Sequence, residues 1–348
     1  MRKTIFATLF VAGAAMAAPL PALAWDYPGH RIVGAIADAV LSANHPKAYK
    51  KVTGLLATKD ADGNPLDRTL SQVAVFPDCA KAHNVPYCGR IPSAEEKAYV
   101  MNNEHNGDYH FTDVPIQQPK YAPNTPGTDD YDVVHMINYV VAQLRKKSPH
   151  IEKVQLSDTE AVWLLAHLVG DIHQPLHVGA VYYDKATCKE QVDPTLVGIG
   201  NVVPTVGGNS ILLEAAEPPP AAPPAEKFHL YWDGAVVNKA MQAAGLPGAE
   251  QDFARLLAAK PPAEWETPGD AETWAAQWAT EALPLARAAH DRLRIAFKER
   301  HVSGDKVSCF WTARILPSYA EWASEQARNQ VAKAGFRLAA LLAEIFKD

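Results

Sequence analysis

The chain has 348 residues, with 33 Lys and Arg against 39 Asp and Glu, and a formal net charge of −6. That balance argues against binding a polyanion through a broad basic surface, so an anionic ligand would have to be met by bound cations. Past the first two dozen residues there is no apolar run of about eighteen, the length that reads as a membrane-spanning helix, and no membrane span is expected.

Residues 1–24 place Arg2 and Lys3 ahead of an apolar run and end on Ala22-Leu23-Ala24. That order predicts a cleaved secretory signal peptide. It leaves one domain over 25–348, carrying 31 basic and 39 acidic residues, or −8. The expected location is periplasmic or extracellular.

The first element is a helix over 29–42, where Ile32, Ile36, Ala39 and Val40 recur at helical spacing. Residues 58–68, 74–92 and 113–130 are rich in Pro, Gly, Asn and Asp and read as loops. A helix is predicted over 131–147, with Arg145, Lys146 and Lys147 in its last turn. Ser157 and Glu160 form a capping box for the next helix, which runs to about 173, where Pro175 stops it. Residues 184–226 lack periodicity and include the proline run EPPPAAPPAE at 217–226, which reads as an exposed loop. Helical spacing resumes at Phe228 and continues over 249–260, 270–298 and 311–346. The expected class is all-α, one mainly helical domain with short strands and long loops.

Cys79, Cys88, Cys188 and Cys309 are an even set in an exported chain, which suggests two disulfides. Three pairings are open. The preferred one closes a short loop with Cys79–Cys88 and ties the central loop to the C-terminal part with Cys188–Cys309.

Residues 164–179, LLAHLVGDIHQPLHVG, set three histidines and an aspartate in an apolar stretch. A buried carboxylate needs a partner. His167 and Asp171 are four apart and share a helix face, and His229 and Asp233 repeat that spacing. His177 follows the Pro175 break and can turn back toward them. Imidazole and carboxylate together suit zinc. His30, Asp78 in VFPDC and His110 in DYHFTD are further candidates, which alone would read as a solvated histidine, a turn residue and part of a short extended segment. His173 reads as a residue orienting a ligand.

The motifs HLVGDIHQPLH at 167–177, GGN at 207–209, HLYWD at 229–233 and His110-Phe111-x-Asp113 make the chain resemble a known family. These are the zinc-dependent single-strand-specific nucleases of the fungal and plant type, in a superfamily shared with bacterial zinc phospholipases C. The resemblance covers essentially all of 25–348 and implies three zinc ions. Asp78, His110, His167 and Asp171 would serve the first, and His177, His229 and Asp233 the second. Trp25, through its free amine and carbonyl oxygen, and His30 would serve the third, with Asp171 bridging first and third.

The resemblance also implies a catalytic role for Asp78, Lys81 and Asp171, with Phe111 stacking a base and Asp113 accepting hydrogen bonds from its edge. The family has an arginine where Lys81 stands, and lysine lacks its bidentate fork. The implied activity is endonucleolytic hydrolysis of single-stranded DNA and RNA to 5′-phosphorylated products, with 3′-nucleotides as further substrates. A zinc-dependent phospholipase C is the alternative. No protein partner is expected.

Overall fold

The computed structural model describes residues 25–59, 65–66, 68–81, 94–214, 226–259 and 261–347. The predicted signal peptide and Cys88 lie outside the described residues.

Helix α1 (Tyr27–Asn44) starts where the Asp26 carboxylate accepts from Tyr27 N. Pro46 opens α2 (Pro46–Leu56), and the six-residue α3 (Phe76–Lys81) follows. In α4 (Val133–Leu144) the Asp132 carboxylate caps the N–H groups of Val134 and His135. Helix α5 (Asp158–Asp171) carries the predicted capping box, in which Ser157 and Glu160 exchange side chain-to-backbone bonds. Pro175 ends the helical path, and one 3₁₀ turn, Pro175–His177, follows. Helix α6 (Phe228–Leu230) runs through a π-helical turn, Tyr231–Ala235, into α7 (Val236–Ala243). Helices α8 (Glu250–Leu257), α9 (Trp274–Asp291) and α10 (Tyr319–Ile345) complete a predominantly helical molecule.

From Ala161 to Asp171, α5 is buried all round, which makes it the central helix. Helices α1, α2, α4 and α10 pack about it. One hydrophobic cluster spans residues from Trp25 to Ile345. Helices α1 and α10 meet closely at Gly335, where an added Cβ would stand 2.5 Å from Ile36 Cβ. Truncating Ile36 to Ala in that contact would cost about 2–5 kcal/mol.

Short strands brace the loops around α5. Strand β1 (Val114–Pro115) pairs in parallel with β2 (Gly179–Ala180), and β3 (Tyr182–Asp184) pairs antiparallel with β4 (Val202–Pro204). Strand β5 (Ile211–Leu213) joins the long antiparallel hairpin of β6 (Leu293–Ser303) and β7 (Lys306–Ile315).

That hairpin corrects two predicted helices. Periodicity over 270–298 gives helix only to Asp291, and over 311–346 only from Tyr319. The physical reason is a period of two. Cys309, Trp311 and Ala313 are buried while their neighbours are not. The turn falls at Gly304, whose φ of +57° a glycine adopts without strain. The Cys188–Cys309 disulfide forms as preferred, tying the central loop to β7. Trp311 lies beside it, donating from Nε1 to Cys188 O and stacking on Tyr183 at 4.4 Å. Cys79 is also disulfide-bonded; its expected partner Cys88 is outside the described residues.

Candidate metal centre

Helix α5 presents His167 and Asp171 on one face, with Nε2 and Oδ2 3.1 Å apart. Helix α1 brings His30 over them. Its Nε2 is 3.3 Å from Asp171 Oδ1, and its ring stacks on His167 at 3.8 Å. Two glycines make room for this approach. A Cβ at Gly170 would stand 2.8 Å from His30 Nδ1, and one at Gly29 would stand 2.7 Å from Trp25 Cβ. The Trp25 indole donates to Gly170 O at 2.9 Å, and Asp26 N donates to Asp233 O at 2.9 Å. The Trp25–Asp26 segment is thus tied to both four-residue pairs, His167/Asp171 and His229/Asp233.

Helix α3 supplies Asp78, whose Oδ1 is 3.6 Å from His167 Nε2 and 3.8 Å from His110 Nδ1. His110 Nδ1 lies 2.9 Å from His167 Nε2 and 3.0 Å from Asp171 Oδ2. Across the bowl, His177 Nε2 and His229 Nε2 are 3.0 Å apart. Asp233 completes that group, with Oδ2 3.5 Å from His229 Nε2. Three sets of donors therefore converge: His30, His167 and Asp171; Asp78, His110 and His167; His177, His229 and Asp233. All eight of these side chains are buried.

Tautomer chemistry tests whether the donors fit a metal. His167 Nδ1 lies 2.6 Å from Ala74 O, His177 Nδ1 2.7 Å from His110 O, and His229 Nδ1 2.8 Å from Gly207 O. A carbonyl oxygen only accepts, so each Nδ1 carries the hydrogen and each Nε2 a lone pair. The Nε2 lone pairs of His177 and His229 then face each other at 3.0 Å, which is repulsive without a cation. Protonation does not supply one. Burial holds His177 and His110 well below the ordinary imidazole range, and lowers His167 and His229 to about 4. Ligand bonds of about 2.0–2.1 Å in a tetrahedral zinc site put donors roughly 3.3 Å apart, close to these spacings. Asp171 Oδ1, Asp233 Oδ2 and His110 Nε2 are buried and make no hydrogen bond. The residues fit divalent metal binding.

The carboxylates are not equivalent. Burial pushes Asp78 up, but the Lys81 ammonium, then His167 and His30, outweigh it and hold Asp78 below its usual value. Lys81 is itself almost fully buried, with Nζ 2.7 Å from Asp78 Oδ1. Burial pushes Asp171 up, opposed by the His30 imidazole beside it, and pushes Asp233 well above the usual carboxylate range.

Phe111 and Asp113 stand at the rim, both partly exposed. Thr112 N donates to His177 O, and Val133 N to Phe111 O, so the segment is pinned between the 3₁₀ turn and α4. Asp113 accepts from Gly207 N–H, and burial still raises its carboxyl to about 7. Gly207 thus touches both Asp113 and His229. A Cβ there would stand 2.1 Å from Leu176 O, and φ is +53°, so the first glycine of GGN has no substitute.

His173 does not orient a ligand. Its Nδ1 bonds to Val169 O, and its Nε2 faces Arg337 Nη1 at 3.2 Å, a buried guanidinium that pairs outward with the exposed Glu281. The next residue, Gln174, instead reaches a candidate ligand. Its Nε2 donates to Asp233 Oδ1 at 2.7 Å. The only signal of Gln174 in the sequence is a polar residue in an apolar setting before Pro175.

The S1/P1 nuclease family model matches residues 25–347. The chain belongs to the S1/P1 nuclease family. The S1/P1 match includes every residue of the three donor sets. Among curated proteins, the chain is similar to Endonuclease 4 of Arabidopsis thaliana, 31% identical over 160 residues, and to Endonuclease 3 of the same plant, 29% identical over 161. These alignments cover 45–46% of this chain and 46% of each relative, so they span about half of either length.

Proposed function

We propose that the protein is a zinc-dependent endonuclease that hydrolyses single-stranded DNA and RNA to 5′-phosphorylated products and also accepts 3′-nucleotides. The observation that carries the metal reading is the pair of neutral imidazoles, His177 and His229, whose Nε2 lone pairs meet at 3.0 Å. Family membership and the two plant endonucleases support the substrate class.

In this reading Asp78, His110, His167 and Asp171 hold a first zinc, and His177, His229 and Asp233 a second. His30, Asp171 and the freed amine and carbonyl of Trp25 hold a third. Bound zinc ions would supply Lewis-acid charge to a phosphodiester and activate water near neutral pH. The side chains do the rest. Asp171 lies between His30 and His110, with one oxygen near each, and in this reading it would serve both the first and the third zinc. Lys81 compensates Asp78 inside the bowl, and its point charge there favours a phosphate near the first set. Phe111 lies outside the hydrophobic core cluster, which supports its ring as a face for an unpaired base. Asp113 beside it offers its carboxylate to the base edge. The domain is 25–348, exported after cleavage before Trp25.

The test is zinc quantification on protein whose N-terminus is verified as Trp25, paired with assays on single-stranded DNA, double-stranded DNA, RNA and lecithin. About three zincs per chain and preferential cleavage of single strands are expected. Lecithin hydrolysis without nucleic-acid cleavage would replace this reading with the phospholipase C one, and one zinc in active protein would end the three-ion assignment.

A further inference from the structure

Gln174 is completely buried at the junction of the two donor regions. Its backbone N donates to Asp171 O at 2.9 Å, and its carbonyl accepts from His177 N at 3.0 Å. The main chain of this one residue therefore links a ligand of the first region to a ligand of the second. Its side chain is equally committed. Oε1 accepts from Leu176 N at 2.6 Å, and Nε2 donates to Asp233 Oδ1 at 2.7 Å. The two oxygens of Asp233 are thereby distinguished. Oδ1 is held by the amide, while Oδ2 makes no hydrogen bond and lies 3.5 Å from His229 Nε2.

We infer that Gln174 is the positioning residue of the His177–His229–Asp233 group: its amide fixes the Asp233 carboxylate so that Oδ2, and not Oδ1, is the atom offered to a metal. A carboxylate on a short side chain can rotate about its terminal bond, which is a broad two-fold torsion. A buried donor on one oxygen removes that freedom. A primary amide suits the task because it is neutral and brings no added charge beside a cation. Partners one shell out from a metal commonly set ligand orientation, and losing one costs about 10–100-fold in metal affinity or activity. This inference rests on the reading of the group as a metal site.

A purely structural alternative is that Gln174 serves only the turn, through Leu176 N. Two substitutions separate the roles. Gln174→Met keeps length and removes both side-chain bonds. Gln174→Glu keeps an oxygen acceptor for Leu176 N and removes the amide donor to Asp233. Mature protein is stripped of metal, its melting temperature is recorded, and it is reloaded with zinc for chelator competition or with cobalt(II) for visible absorption. Gln174→Met should bind one ion of the set about 10–100-fold more weakly. Gln174→Glu sets a second buried carboxylate beside Asp233, so it should melt below wild type without metal, yet fold and show an altered cobalt spectrum. A wild-type cobalt spectrum and wild-type zinc retention in Gln174→Glu would overturn the inference and leave the turn as the residue's role. If Gln174→Met fails to fold, Gln174→Glu decides alone. Failure of the underlying metal reading looks different, because then the unsubstituted protein itself would take up no ion at this group.

Discussion

The two sides of the bowl solve the problem of buried carboxylates differently. The first side crowds His30, Asp78, His110, His167 and Asp171 together and adds a buried ammonium, Lys81, 2.7 Å from Asp78. The second side has one carboxylate, Asp233, and its nearest support is the neutral amide of Gln174. Taking a carboxylate out of water demands compensation. Lys81 provides it for Asp78, which stays below its usual pKa, whereas burial leaves Asp233 well above. The first side is thus partly balanced by the chain itself, and the second depends more heavily on an added cation. The sides are nevertheless joined, because the His110 ring belongs to one and its carbonyl orients His177 in the other.

The largest expected effect comes from the residue that the first side cannot replace. Asp171→Asn should lower cleavage of single-stranded DNA by about 10²–10³-fold, several kcal/mol of transition-state charge stabilisation. Near-wild-type turnover in that variant would remove Asp171 from its shared position. Next comes the N-terminus. Protein retaining Ala24 ahead of Trp25 should lose most activity, at least about tenfold, and keep a near-native melting curve. An amide nitrogen has its lone pair delocalised and donates poorly to zinc. Mass spectrometry must confirm the extra residue; full activity with three zincs would show that the amine is not a ligand.

Phe111→Ala tests the rim rather than either side. It should lower kcat/KM on single strands by about tenfold, in line with roughly 1–3 kcal/mol per stacked base, with zinc content unchanged. Loss of zinc instead would make Phe111 a structural residue. Metal removal probes the balance between the sides. Chelation should lower the melting temperature by several degrees, since ligand binding to the native state stabilises by about 2.7 kcal/mol at a hundred times Kd and each kcal/mol is worth roughly 1–2 °C in a domain of this size. An unchanged melting curve in verified apoprotein would mean that the facing imidazoles need no cation.

The smallest effect belongs to a half-buried carboxylate outside the donor sets. Asp38 accepts from Leu70 N and Ser71 N, yet burial raises it to about 6. Its folded pKa lies above the unfolded value, so the folded state holds the extra proton and stability falls as pH rises from about 4 to about 6. Asp38→Asn cannot ionise. The difference in melting temperature, variant minus wild type, should be more positive at pH 7 than at pH 4 by a few degrees. Equal differences at both pH values would show that Asp38 is not strained by its burial.

Much of the helical frame was readable from local pattern. The capping box at Ser157 and Glu160, the stop at Pro175 and the first helix all form where spacing placed them. The candidate ligands were readable for a similar reason, since a four-residue interval puts two side chains on one helix face. The hairpin was misread because Leu293–Phe297 and Cys309–Ala313 are apolar segments embedded in helical ones, and short apolar runs satisfy either period.

What residue type and spacing settled here are the properties that neighbours in the chain share: helix starts, helix faces, and the His/Asp pairs in HLVGDIHQPLH and HLYWD. What folding alone decided are the relations between distant segments. Helix α1 lays His30 on His167, a carbonyl at Gly207 selects the tautomer of His229, and Gln174 reaches Asp233 fifty-nine residues away. No local periodicity encodes such distances. They follow from close packing of α1, α5 and α10, which leaves each buried polar atom only the partners that the finished core brings within reach.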